Sequence, residues 1–144
     1  EGLGERPWEI VASDLSTRVL AKARSAQYPL AEAENIPPAL LRRYCFKGVG
    51  DNEGTFLVDP RLTARIAFRQ INLNNNLPDM GTFDIIFLRN VMIYFDVPTK
   101  RQVVARLVRH LRPGGYFFVS HSESLNGVTD ALKMVSPSIY QRPL

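Results

Sequence analysis

The chain has 144 residues, 45% of them hydrophobic, which is the size and composition of one ordinary globular domain. No apolar run approaches the roughly 20 residues of a membrane span and no signal-peptide pattern opens the chain, so a soluble, cytoplasmic protein without membrane insertion is expected. A single Cys45 excludes an internal disulfide and a zinc cluster, no metal site is expected, and the formal charge of +4 is spread along the chain rather than gathered into a nucleic-acid groove.

In chain order, Trp8-Glu9-Ile10-Val11-Ala12-Ser13 reads as a strand, closed by Asp14. A helix carrying Val19, Leu20 and Ala23 follows, with Ser16 or Asp14 as its cap. After Tyr28-Pro29, a short helical patch around Ala39, Leu40, Leu41 and Tyr44 is opened by Pro37-Pro38. The character then changes. Gly48-Val49-Gly50-Asp51-Asn52-Glu53-Gly54 is a turn cluster, Thr55-Phe56-Leu57-Val58 a strand, and residues 65–71 alternate as another, so residues 44–71 read as a small antiparallel β insertion. Alternation of strand and helix resumes with a strand at 83–88, a helix at 99–111 stopped by Pro113-Gly114-Gly115, a strand at 116–120 and a last strand near 139–142. The 99–111 helix sets Lys100, Arg101, Arg106 and Arg109 against Val103, Val104, Leu107 and Val108, an amphipathic element with a basic outer face.

Chemistry concentrates at the strand ends. Phe83-Asp84-Ile85-Ile86-Phe87-Leu88 has the composition of a strand covered on both faces, and it runs straight into Arg89-Asn90 and an aromatic-capped turn, Val91-Met92-Ile93-Tyr94-Phe95. In parallel sheets ligands bind at such carboxyl ends. Asp14, after the first strand, either caps the helix or accepts hydrogen bonds from the two hydroxyls of a ribose. Asn72-Leu73 either begins a solvated turn or reads an adenine edge while the Leu covers the ring. Asp14, Asn72 and Arg89 fall at three successive strand ends and together outline a nucleoside pocket.

The segments Ile10-Val11-Ala12-Ser13-Asp14-Leu15-Ser16, Ala21-Lys22-Ala23-Arg24, Arg89-Asn90-Val91-Met92-Ile93-Tyr94-Phe95, Leu111-Arg112-Pro113-Gly114-Gly115 and His121-Ser122-Glu123 resemble, in order and spacing, the CheR-type chemotaxis receptor glutamate methyltransferases. The resemblance spans nearly the whole chain. It implies a Rossmann-like α/β methyltransferase sheet carrying the β insertion, S-adenosylmethionine as cofactor with S-adenosylhomocysteine as product, and glutamates on the cytoplasmic helices of chemoreceptors as substrate. It implies that Asp14 holds the ribose, Asn72 and Leu73 the adenine, and Leu88 with Arg89 the methionine side of the cofactor, with Tyr94 beside the transferred methyl. Arg89 and Tyr94 are then the expected catalytic residues, acting by alignment, because an ionised glutamate needs no general base. Family members that tether to a receptor's C-terminal pentapeptide add it as a strand beside a Gly-x-Gly turn, matched here by Gly48-Val49-Gly50 with Lys47 adjacent, although Leu57 stands where an Arg is expected. His121 and Glu123 match without a physical role.

The same resemblance places a glycine-rich loop, a first strand and a helical N-terminal domain ahead of residue 1, so residues 1–144 are expected to form a partial methyltransferase domain. The strands before Asp14 and before Arg89 should then each show an unpaired apolar edge, to be filled by another part of the molecule or another copy. The competing expectation is a receptor-binding adaptor built on an incomplete methyltransferase domain. A nucleic-acid methyltransferase fits less well, because 89–94 lacks a Pro-Pro-Tyr turn.

Overall fold

The structure, a computed structural model, describes residues 6–144. The chain divides into two compact units, Glu1–Asn72 and Leu73–Leu144.

In the first unit, β1 (Ile10–Asp14) leads into α1 (Thr17–Ser25). Ser16, not Asp14, caps this helix: its hydroxyl accepts the Val19 N–H at 3.3 Å, and Lys22 and Arg24 face the negative end of the helix dipole. Then come β2 (Gln27–Pro29), α2 (Pro38–Tyr44), β3 (Cys45–Lys47), β4 (Thr55–Val58), α3 (Pro60–Thr63) and β5 (Ile66–Gln70). β1 and β5 pair in parallel from Ile10 opposite Ile66 to Asp14 opposite Gln70. The other three strands form an antiparallel sheet in the order β2-β4-β3, with Phe56 of the central strand buried against Tyr28.

The boundaries expected for the insertion therefore differ from those found. β5 lies outside the antiparallel sheet because its partner is β1, and β2 lies inside it although three residues ending in proline carry no periodicity to read. Pro29 is tolerated because β2 is an edge strand, where a missing N–H breaks no ladder. Cys45 is half-buried, and burial pushes its thiol up, away from the thiolate.

The β3–β4 turn is held by the Gly48 N–H on the Thr55 carbonyl at 2.8 Å and the Thr55 hydroxyl on the Asn52 carbonyl at 2.7 Å. A Cβ on Gly48 would lie 1.9 Å from the Asn52 carbonyl oxygen, so the backbone itself blocks any side chain. Gly48→Ala is expected to destabilise this sheet by about 3 kcal/mol, read as a shifted denaturant midpoint; a change of under about 0.5 kcal/mol would show that the turn is not so constrained.

In the second unit, β6 (Phe83–Phe87), β7 (Leu111–Phe118), β8 (Lys133–Ser136) and β9 (Ile139–Gln141) form a sheet ordered β6-β7-β9-β8, and α4 (Val97–Arg109) lies between β6 and β7 in the chain. β6 and β7 are parallel with α4 as the crossover. Val103, Val104 and Val108 of α4 meet Leu111, Phe117, Leu125 and Tyr140 in the core. The helix begins before residue 99 because Asp96 is its cap, accepting the Thr99 N–H at 2.9 Å, with Pro98 in the first turn. Pro113-Gly114-Gly115 lies inside β7 as an irregularity, between Leu111 opposite Phe83 and Tyr116 opposite Ile85. β8 carries no strand signal in the sequence, because its four residues are all exposed and do not alternate.

β6 departs from the double coverage expected of it. Ile85 is 47% exposed and Phe87 67%, the Phe87 ring stacked on Phe118 at 4.9 Å, and among the described residues the edge of β6 away from β7 has no strand partner. Among the described residues β1 likewise pairs only with β5, and Ile10 is exposed.

Candidate functional site

Asp14 occupies the carboxyl end of β1 in parallel register with β5. Its Oδ1 accepts the Ser16 N–H at 2.8 Å, an Asx turn that fixes the carboxylate at the strand end. The Ile71 N–H donates to the Asp14 carbonyl at 3.1 Å, and the Gln70 amide donates to the Leu15 carbonyl at 2.9 Å, so β5 holds both the strand end and the residue after it. The carboxylate is half-buried and forms no ion pair among the described residues, which leaves Oδ2 available for a ligand hydroxyl. Asn72 follows buried Ile71 at the end of β5 and is exposed.

In the second unit, the chain leaves β6 through buried Leu88, whose side chain belongs to the core and whose N–H donates to the Phe118 carbonyl at 2.9 Å. Leu88 can thus offer a ligand its main chain but not its side chain. The backbone then turns sharply at Asn90, which takes φ 60°, a left-handed conformation that Asn tolerates better than most residues. A short 3-10 turn, Met92–Tyr94, follows, anchored by Met92 at 1% exposure. Arg89 is exposed and without an ion pair among the described residues, and Tyr94 is 80% exposed, so Tyr94 is not a core aromatic. Leu73 packs partly buried against the core of this unit, its carbonyl accepting the Arg106 guanidinium at 3.0 Å.

The residue that shapes this loop is Glu123. One carboxylate oxygen accepts the Asn90 N–H at 2.8 Å, the Ser120 hydroxyl at 2.6 Å and the Ser120 N–H at 3.2 Å; the other accepts the Met92 N–H at 2.9 Å. Burial alone would raise its pKa, but these hydrogen bonds outweigh it, the Ser120 hydroxyl first, and hold the carboxyl below its ordinary value. Glu123 therefore clamps the Asn90 and Met92 amides that follow Arg89, from 33 and 31 residues away in sequence. A carboxylate just beyond the 116–120 strand was the available signal; its partners were not readable.

Of the third group, Lys47 and Gly48 line an open cleft of about 250 Å³ together with Phe46, Val49 and Leu57, whereas Gly50 is not part of its lining. β3 is the edge of its sheet, so its outer hydrogen-bonding groups can take an added strand.

Comparison with known proteins decides the family. The CheR methyltransferase, SAM-binding domain, matches residues 3–140. The chain belongs to the CheR family. It is 42% identical over 143 residues to chemotaxis protein methyltransferase 2 of Pseudomonas aeruginosa, covering 97% of this chain and 51% of that protein. The Salmonella typhimurium chemotaxis protein methyltransferase is 39% identical over 145 residues, 97% of this chain and 50% of that protein. This CheR-family chain thus spans about half the length of the curated relatives it matches. Among solved structures, the N-methyltransferase NodS of Bradyrhizobium japonicum WM9 superposes with a TM-score of 0.57 at 13% identity, covering 100% of this chain and 79% of that one. That likeness shows the fold alone, the Rossmann-like α/β class expected from the sequence.

Proposed function

We propose that this CheR-family chain carries the catalytic half of an S-adenosylmethionine-dependent methyltransferase that esterifies glutamate side chains of a chemoreceptor's cytoplasmic domain. The observation that supports it most is the pair Arg89 and Tyr94, exposed and uncommitted on a turn that Glu123 locks in place at a parallel strand's carboxyl end. The donor set suits the cofactor. Asp14 would bind the ribose hydroxyls through Oδ2, Asn72 and Leu73 the adenine, and the Leu88 main chain with Arg89 the methionine end. Bound there, S-adenosylmethionine supplies a sulfonium methyl that an ionised carboxylate takes without a general base, leaving S-adenosylhomocysteine. The chain's own work is alignment: Arg89 pairs with a carboxylate and the Tyr94 hydroxyl donates to it. Among the described residues no helix is long and apolar enough to cross a membrane. A receptor's C-terminal peptide is proposed to add to β3 beside Lys47, Gly48 and Gly50, with its affinity limited by Leu57.

The test is transfer of tritiated methyl from S-adenosylmethionine to a receptor cytoplasmic fragment. Base-labile label, released as methanol, is expected; absence of label with receptor binding retained would favour an adaptor. Arg89→Ala should lower kcat/KM roughly 100-fold while leaving the melting temperature unchanged, because an exposed, unpaired side chain holds nothing in the fold. Equal activity in the variant would remove Arg89 from the site.

A further inference from the structure

A second cleft, of about 280 Å³, opens within the first unit, lined by Trp8 ahead of β1, Arg43 and Tyr44 of α2, Arg61 of α3 and Arg65 ahead of β5. Its three guanidiniums are not equivalent. Arg61 is spent: its Nε and Nη2 grip Asp59, which is 3% exposed and also caps α3 through the Arg61 N–H at 2.9 Å. The Asp59 carboxyl is accordingly held below its ordinary range by the Arg61 guanidinium. Arg65 and Arg43 have no carboxylate partner among the described residues. Each lies over an aromatic ring instead, Arg65 at 4.9 Å from the Trp8 centroid and Arg43 at 5.2 Å from that of Tyr44. A guanidinium stacked in this way is oriented by the ring and still has in-plane N–H donors to offer a planar, bidentate acceptor. The cleft therefore keeps two uncompensated positive charges, pre-oriented and bordered by apolar surface from Trp8, Tyr44 and Leu62.

We propose that this cleft is a docking site for an acidic peptide segment of a protein partner, two of whose carboxylates pair with Arg43 and Arg65. Carboxylate side chains suit it better than a phosphate for two reasons. The aromatic rings and Leu62 receive the methylenes of a glutamate, and buried Asp59 opposes a dianion more strongly than a monoanion. The site shares no residue with Asp14, Arg89 or the β3 edge, so it stands whether or not methyl transfer occurs.

Trp8 is the chain's only tryptophan, so its emission reports from the cleft. The probe is a glutamate-rich hexapeptide, with its glutamine counterpart as control. Saturable change in Trp8 emission with the first and none with the second is expected, with binding weakening as salt rises from about 50 to about 200 mM. Because replacing Arg65 perturbs Trp8 directly, the variants are compared by calorimetry. Arg43→Gln and Arg65→Gln should each weaken binding about tenfold, and Arg65→Lys, which keeps the charge but loses the fork, should fall between. Unchanged affinity in both glutamine variants, equal binding of the glutamine peptide, or displacement of the glutamate peptide by equimolar inorganic phosphate would each overturn the assignment.

Discussion

Glu123→Ala should cost about 3 kcal/mol of stability in the second unit and reduce methyl transfer roughly 100-fold or more, although Glu123 is not expected to touch substrate. The alanine leaves the Asn90, Met92 and Ser120 N–H groups and the Ser120 hydroxyl without their acceptor. Asn90 holds a left-handed backbone that those bonds help to impose, so the turn relaxes and Arg89 loses its position. Glu123→Gln separates charge from geometry. Its amide oxygen still accepts, but its NH₂ would face a backbone donor, so a loss of about half that size is expected. The sign of the pH effect follows from the direction of the shift. Glu123 is depressed in the folded state, so its contribution is full above the ordinary carboxyl value of 4.5 and is lost as pH falls through the lower folded value. Hydrogen exchange at the Asn90 and Met92 amides should show that acid-induced opening, and Glu123→Gln should abolish its pH dependence. Protection unaltered in Glu123→Ala would show that the clamp is incidental.

Asp14→Ala should raise the dissociation constant for S-adenosylhomocysteine roughly 100-fold, the equivalent of about two charge-assisted hydrogen bonds to a ribose. Its structural cost is smaller. Among the described residues only the Ser16 N–H loses an acceptor, and the cap on α1 is the Ser16 hydroxyl rather than Asp14, so about 1 kcal/mol of stability is at stake. Asp14→Asn keeps an acceptor for Ser16 while losing the charge, and should restore stability without restoring affinity. Weak binding together with native stability in Asp14→Asn is the pattern that a merely structural aspartate would not give.

What could be read beforehand was whatever local chemistry carries. Asp14, Ser16 and the β1 run were legible because a β-branched stretch followed by an Asx turn and a cap has one economical conformation. The α4 valines were legible because they recur at helical spacing. Phe83 to Leu88 has the composition of a strand covered on both faces, but composition reports apolarity and not what packs over a strand, and Ile85 and Phe87 are exposed. β2 and β8 were too short or too uniformly exposed to announce themselves. The role of Glu123 depends on donors more than 30 residues away, which no spacing along the chain encodes. Tyr94 is an aromatic in an otherwise apolar segment, a pattern that core and ligand-facing rings share, and only its 80% exposure in the structure separates the two.

The most direct measurement is calorimetric titration of the folded protein with S-adenosylhomocysteine. Saturable heat with a dissociation constant of about micromolar order is expected, abolished by Asp14→Ala under the same conditions. A folded sample that gives no heat, or an Asp14→Ala variant that binds as tightly as the parent, would contradict a cofactor site built on Asp14.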